Sequence, residues 1–332
     1  MRPCAALLLI VLATASCGGT PTSPAPATPV PAPVPTPAPS PTPAPTPAPS
    51  PAPAPAPASP LPLGQAVSAG TITCPSGTGP IANSSCTSLV VSCPSIGNAT
   101  ATLRITRPSS AGSTRGTVVL TTGGDGTNFQ DSSLTQGMIA TFFDDSLAVV
   151  QLRWNPPGIW GGPRARTAAC RYATAARWIY DNVHVGGRSR LFAAQGTSGG
   201  AAQIAFGLAF YGIGDFIDLA NLGGGPPNCP LCTVDPLVPV EPLLPKRLTP
   251  ACSSNLTWNE AEPLLTYPAA VVRSFLGDQD PNDSCTADNA RAFSTAITSA
   301  KSFMTVPTTP HVVESTQTGV DAYVASVRAA IK

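Results

Sequence analysis

The segment from Arg190 to Gly200 contains the residues whose types and spacing could most readily do chemistry. It reads Arg-Leu-Phe-Ala-Ala-Gln-Gly-Thr-Ser-Gly-Gly, so a short apolar run ends in a G-x-S-x-G pattern centred on Ser198. The Ala-rich stretch that follows predicts a helix. A strand, a tight turn and a helix would project the serine hydroxyl from the turn as a nucleophile. The alternative is an ordinary glycine-rich turn between a strand and a helix.

The glycines around Ser198 favour the first interpretation. Such a turn forces the serine into a disfavoured backbone conformation, and a Cβ at position 196 or 199 would crowd the neighbouring strand or helix. The N-terminus of the following helix also favours negative charge that develops near the serine.

A serine nucleophile needs a base, and the base needs an acid that orients it. The chain has only two histidines. His184 precedes the apolar run and is expected on the surface, at the opposite end of the sheet. His311 follows the last predicted strand and precedes the last helix, which suits the base. The alternative for His311 is an exposed loop residue.

Two aspartates follow directly after a predicted buried strand, in the segment Leu-Gly-Asp-Gln-Asp-Pro. Either Asp278 or Asp280 could orient the histidine, and either could instead cap a turn. We favour Asp280, because it lies three residues past Gly277 and because Pro281 biases it toward an extended conformation. Asp218, near an earlier strand, is the next candidate.

Alternating strands and helices must position these side chains. This alternation predicts a mostly parallel central sheet with helices on both faces. Ligands then bind at the carboxyl ends of the strands, where the loops meet. The predicted strands are 71–74, 89–93 and 101–107, antiparallel at the sheet edge, then 116–121, 147–152, 191–194, 216–222, 269–276 and 302–306; the predicted helices are 134–143, 164–183, 200–210, 286–300 and 319–331.

With the turn, the aspartate loop and the histidine in this order, residues 115–325 resemble the α/β-hydrolase family. The resemblance implies the α/β-hydrolase fold and hydrolysis through an acyl-enzyme, without a cofactor. It implies that Ser198 is the nucleophile and His311 the base. The loop resembles the family's G-x-x-D-P segment, which assigns the acid to Asp280.

The resemblance also implies two backbone donors for the oxyanion. The first is the N–H of Gly199, which follows the nucleophile. The second comes from the loop Thr-Gly-Gly-Asp after the first buried strand, and matching this loop to the family selects Gly124. Thr122 stands where the family often has histidine. The alternative is that these glycines form only a turn.

Carboxylic esters are the commonest substrates of the sites that this chain resembles, and both small-molecule and polymeric esters fit. A peptidase or amidase on the same fold is one rival. An inactive hydrolase fold that serves as a tethered surface binding module is another. Trp154, Trp160 and Trp258 could form a wall of the substrate site, or equally could cover the core.

The N-terminal composition predicts export. Residues 1–17 have a basic start, an apolar core and small residues, which is typical of a signal peptide. It ends either at Ala13-Thr-Ala15, which would release the protein, or at a lipoprotein-like box that would place a lipid anchor on Cys17. Residues 18–63 alternate proline with small residues, which predicts a disordered, extended tether. Residues 64–332 then form the catalytic domain, with a Pro-rich lid near 223–268.

The net charge limits which kinds of partner are expected. Eighteen basic against 17 acidic residues give a net charge of +1, which argues against nucleic acid as a partner. A membrane contact is expected only through the lipid anchor. No metal site is predicted.

The ten cysteines fit an oxidising compartment, where the eight in the domain would form up to four disulfides. Local pairing within Cys74, Cys86 and Cys93 and a bond between Cys252 and Cys285 are the predicted connections. Cys229 and Cys232 form a C-x-x-C pattern that suits a bond within the lid better than a redox site, since no helix follows it.

Overall fold

A computed structural model describes residues 59–75, 84–94, 96–108, 114–160, 165–226, 263–280 and 283–332. Within these residues nine strands form one sheet, in the order β1-β2-β3-β5-β4-β6-β7-β8-β9. The strands are β1 (Gln65–Ile72), β2 (Ser84–Cys93), β3 (Ile96–Thr106), β4 (Gly116–Thr121), β5 (Leu147–Trp154), β6 (Leu191–Thr197), β7 (Leu219–Gly223), β8 (Val271–Gly277) and β9 (Lys301–Val306).

Six strands form the parallel part of the sheet, from β5 through β4, β6, β7 and β8 to β9. Every residue of β4 and β6 is buried, as expected for strands covered on both faces. The first three strands pair antiparallel at one edge and join the rest through β3 and β5. The predicted mostly parallel sheet and its antiparallel edge are therefore confirmed.

Helices cover both faces of this sheet, and the alternation of side chains along the strands separates two apolar cores. Val119 and Phe192 belong to one core, whereas their neighbours Val118 and Leu191 belong to the other. The first core contains residues of α2, α3 and α4, and the second contains residues of α1 and α5. The helices are α1 (Ser133–Asp144), α2 (Ala165–Asn182), α3 (Gly199–Tyr211), α4 (Asp283–Ala296) and α5 (Gln317–Arg328).

Two disulfides tie the antiparallel edge together. Cys74–Cys86 links the segment after β1 to β2, as the expected local pairing requires. Cys93 instead bonds to Cys170 of α2, 77 residues away, so its predicted local pairing is wrong. The two cysteines meet because β2 packs against α2, a contact that their spacing in the sequence does not reveal. The other predicted bonds involve cysteines whose side chains lie outside the described residues.

Residues just before the predicted domain start at residue 64 contact the folded part of the chain. Leu61 donates its N–H to Phe210 O at 2.7 Å, and Leu61 and Leu63 pack against the first core. The predicted signal 1–17 with Cys17, most of the tether 18–63 and most of the lid 223–268 lie outside the described residues. Among the helices that the structure describes, none has the length and apolar character that crossing a membrane would need.

Candidate active site

Ser198 lies between β6 and α3, in the turn that the sequence predicted. Its backbone has φ 55° and ψ −120°, a conformation that a residue with a Cβ rarely adopts. Its N–H donates to Gly223 O at the end of β7 (2.8 Å), and its carbonyl accepts from Ala202 N (3.0 Å). These two bonds hold the strained residue at the carboxyl end of a central strand.

Close approach of the turn to β4 and to the loop after β4 explains the two glycines. A Cβ on Gly196 would lie 2.4 Å from Thr121 Oγ1, and one on Gly199 would lie 2.1 Å from Gly124 O. Neither distance is compatible with a side chain. Glycine at position 196 therefore lets β6 pack closely against β4, a neighbouring strand as the sequence predicted. Glycine at position 199 lets the start of α3 pack against the loop after β4, where the prediction was a neighbouring strand or helix.

His311 and Asp280 form a hydrogen-bonded pair. His311 Nδ1 lies 2.8 Å from Asp280 Oδ2, with the aspartate side chain 2% exposed and the histidine side chain 19% exposed. Asp278 has a different environment: it is exposed, and its Oδ1 accepts the N–H of Thr309 at 3.2 Å. Of the two candidates, Asp280 is thus the one in contact with the histidine, and Asp278 caps the loop.

The loop that carries His311 meets the turn that carries Ser198. A Cβ on Gly224 would lie 3.2 Å from His311 Nδ1, and the adjacent Gly223 accepts the N–H of Ser198. The serine and the histidine therefore both lie against the end of β7. Within the described residues, Ser198 Oγ and His311 Nε2 are not hydrogen-bonded to each other.

The two candidate oxyanion donors are neighbours. A Cβ on Gly199 would be 2.9 Å from Gly124 N, so the two backbones are in contact. Gly199 begins α3, which leaves its N–H without a partner inside the helix. Gly124 has φ 58°, and its carbonyl accepts the indole N–H of Trp160 at 2.8 Å. This bond fixes the orientation of the peptide group at Gly124.

Trp154 and Trp160 pack inside the protein, in line with the alternative that they cover the core. Trp154 is fully buried and donates its indole N–H to Gln203 Oε1, so it belongs to the core. Trp160 is 5% exposed and supports the loop at Gly124 instead of offering a face to a ligand. Apolar composition cannot distinguish these roles, because core and pocket walls use the same side chains. Trp258 lies outside the described residues.

His184 and Asp218 lie at the opposite end of the sheet from Ser198, which is where the sequence predicted His184. His184 is 9% exposed, not a surface residue: its ring nitrogens contact Thr117 Oγ1 (3.0 Å) and Gly187 O (2.9 Å). Burial lowers the pKa of the His184 ring. Asp218, the fallback acid, precedes β7 and accepts the N–H of Phe192, far from the carboxyl ends of the strands.

Sequence reasoning missed one buried polar group near Ser198. Glu314 is 7% exposed, lies in the turn Val313–Ser315 and accepts a short hydrogen bond from Thr197, the residue before the serine. Tyr323 of α5 lies 3.0 Å from the same hydroxyl. Burial raises the pKa of Glu314, which the bond from Thr197 opposes. The sequence signal that could have indicated its burial is that Glu314 directly follows two valines.

Comparison with known proteins identifies the fold. No protein-family model matches the chain, and no curated protein matches its sequence. Among solved structures, a protein from Agrobacterium vitis S4 that is provisionally described as a hydrolase matches with TM-score 0.50 and 12% identity, over 75% of this chain and 99% of that one. A dienelactone hydrolase from Anabaena variabilis matches with TM-score 0.47 and 12% identity, over 75% of this chain and 100% of that one.

A cold-adapted esterase from an Arctic intertidal metagenomic library matches with TM-score 0.48 and 14% identity, over 76% of this chain and 97% of that one. Identities of this size concern the fold alone. The chain has the α/β-hydrolase fold, as the sequence predicted.

Proposed function

We propose that this chain is an exported serine hydrolase that cleaves carboxylic esters through an acyl-enzyme intermediate. The observation that carries the proposal is the backbone of Ser198, held at φ 55° and ψ −120° at the end of a central strand. A non-glycine residue in such a conformation costs on the order of 1–3 kcal/mol, and this strain is typical of positions where geometry serves chemistry. A plain strand-to-helix connection has no need of it.

The pair of His311 and Asp280 suits the work of a base and its orienting acid. When Nδ1 donates to the Asp280 carboxylate, the lone pair of the ring lies on Nε2, which is the nitrogen that can take a proton from Ser198. Ser198 Oγ then attacks the ester carbonyl as its proton passes to Nε2. The resulting imidazolium gives the proton to the leaving alcohol, and the acyl group stays on the serine.

Hydrolysis of the acyl-enzyme repeats these steps with water. Water adds to the acyl carbonyl while Nε2 takes its proton, and the proton returns to Ser198 Oγ as the acid product leaves. In both halves the carbonyl oxygen becomes an oxyanion. The N–H of Gly199, at the positive end of α3, and the N–H of Gly124 are the proposed donors, and their close approach supports a shared oxyanion site.

The substrate class and the location rest on the sequence. Carboxylic esters are the commonest substrates of sites with this arrangement, and export through the signal at residues 1–17 would expose the enzyme to external small-molecule or polymeric esters. A lipid on Cys17 and the Pro-rich tether would hold the domain away from a membrane surface.

A fluorophosphonate probe tests the proposal on the full mature chain, because it reacts only with an activated serine. We expect covalent labelling of Ser198 and turnover of a short activated ester. In Ser198→Ala and His311→Ala, turnover should fall on the order of 10³-fold or more, since nucleophile and base act as a unit. Thermal unfolding should remain near that of the wild type in both variants.

A panel of esters and amides then separates the rival functions. Labelling with amide turnover but no ester turnover would assign the chain to peptidases or amidases. An unlabelled wild-type chain with no turnover would refute the hydrolase and favour an inactive fold that binds a ligand.

A further inference from the structure

A buried polar cluster lies directly beneath the proposed nucleophile, and the catalytic steps above do not use it. We define the cluster by Thr197, Glu314 and Tyr323, which are 1%, 7% and 0% exposed. The Thr197 hydroxyl donates to Glu314 Oε2 and lies 3.0 Å from the Tyr323 hydroxyl. Because threonine has one hydroxyl proton, Tyr323 donates to Thr197 while Thr197 donates to the carboxylate.

The cluster joins the two loops that carry the reacting groups. Thr197 ends β6 and immediately precedes Ser198, whereas Glu314 follows His311 by three residues. The hydrogen bond between them therefore spans 117 residues of sequence. A small relative movement of these loops would change the distance between Ser198 Oγ and His311 Nε2.

The end of β7 completes the contact. A Cβ on Gly223 would lie 1.7 Å from the Tyr323 hydroxyl and 2.9 Å from Thr197 Oγ1, so the cluster packs directly against this residue. The carbonyl of Gly223 accepts the N–H of Ser198. The cluster thus contacts both strands that hold the strained serine: β6 through Thr197, and β7 through Gly223.

Burying a carboxyl group at this position carries an unfavourable desolvation free energy. Tyr323 belongs to an apolar core and packs edge-on against Phe275, with ring centroids 5.0 Å apart. Burial raises the pKa of Glu314, and the hydrogen bond from Thr197 opposes this rise. An apolar side chain of similar size would fill the space without this desolvation cost. A polar residue kept at such a cost beside a reactive site indicates a role there.

We propose that Thr197 and Glu314 are positioning residues, whose hydrogen bond fixes the nucleophile turn against the histidine loop. This inference rests on the proposed hydrolase function. Neither residue is required to touch the substrate. Loss of their bond should therefore reduce the rate of the chemical step and leave substrate binding largely unchanged.

Thr197→Val and Thr197→Ser form a matched pair. Valine keeps the shape of threonine but removes the hydroxyl, whereas serine keeps the hydroxyl. We expect Thr197→Val to lower kcat on the order of 10- to 100-fold with KM changed by less than about threefold, because a misplaced reactive group costs rate and not affinity. Thr197→Ser should retain most of the wild-type kcat, and Glu314→Gln should fall between the two.

Thr117→Val is the control for stability. Thr117 is 0% exposed and, like Thr197, has a hydroxyl that is hydrogen-bonded, here to His184 Nδ1 at 3.0 Å. It lies at the opposite end of the sheet, near the start of β4. We expect Thr117→Val to lower the midpoint of thermal unfolding about as much as Thr197→Val does, with kcat unchanged.

Two results would overturn the inference: a wild-type kcat in a folded Thr197→Val variant, or equal losses of kcat in the valine and serine variants. Neither result would contradict the proposed hydrolase function. If Thr197→Val does not fold, Glu314→Gln and Tyr323→Phe carry the test, and wild-type kcat in both would overturn it. An unlabelled wild-type Ser198 would instead overturn the hydrolase function, and this inference with it.

Discussion

Replacing each of the two aspartates after β8 with asparagine tests the assignment of the acid. In Asp280→Asn the side chain keeps its size, but the group facing His311 Nδ1 at 2.8 Å loses its charge. If the amide oxygen faces the ring, it still accepts the N–H but no longer stabilises the imidazolium. If the amide nitrogen faces the ring, the ring proton moves to Nε2, which can then no longer take a proton from Ser198.

With either arrangement kcat should fall by up to ~10⁴-fold, which corresponds to a loss of about 5.4 kcal/mol of transition-state stabilisation. Asp278→Asn is the matched change two residues away. Asp278 is exposed and accepts the N–H of Thr309, which an amide oxygen can also do, so we expect a loss of less than about tenfold.

The assay is hydrolysis of one short activated ester by both variants side by side at neutral pH, with thermal unfolding as the control for folding. A larger loss in Asp278→Asn would move the acid to that residue. Near-normal rates in both variants would refute the proposed triad. The acid would then have to come from elsewhere, and Glu314, in the loop of His311, would replace the distant Asp218 as the first candidate.

Three further predictions concern strain, the long-range disulfide and the N-terminus. Ser198→Gly should be more stable than Ser198→Ala by about 1 kcal/mol and should unfold at a higher temperature, because glycine tolerates φ 55°. Equal stability of the two variants would contradict strain at this position. The double variant Cys93→Ser and Cys170→Ser should lose about 4.5 kcal/mol of unfolding free energy in chemical denaturation, because the bond closes a loop of 77 residues. An unchanged midpoint would show that the bond does not form. Intact mass of membrane-extracted protein should show a lipid on Cys17 and no free thiols among the eight domain cysteines, whereas a soluble product beginning at Ser16 would favour cleavage after Ala15.

Much of the fold was readable from the sequence, because the signals that define strands and helices are local. The apolar run at 116–121 is β4 without any change of bounds, and the predicted helix at 164–183 is α2 to within a residue at each end. The predicted strand at 216–222 begins three residues later, at Leu219, since the turn at Ile213–Asp215 continues the connection from α3. The nucleophile turn was equally readable, because its glycines are required within a few residues of Ser198.

Contacts between distant segments were not readable. The tertiary structure brings Cys93 to Cys170, and it buries His184 and Trp154. The spacing of these residues is compatible with several partners, and only the packing of the sheet against its helices selects one.

The bond between Thr197 and Glu314 shows this division most clearly. Sequence alone identified the turn around Ser198 and the loop around His311, because each is a local pattern of glycine, proline and apolar residues. It did not reveal what holds the two together. That depends on side chains from β6, the turn after His311 and α5, which become neighbours only when the parallel strands align their carboxyl ends at one edge of the sheet.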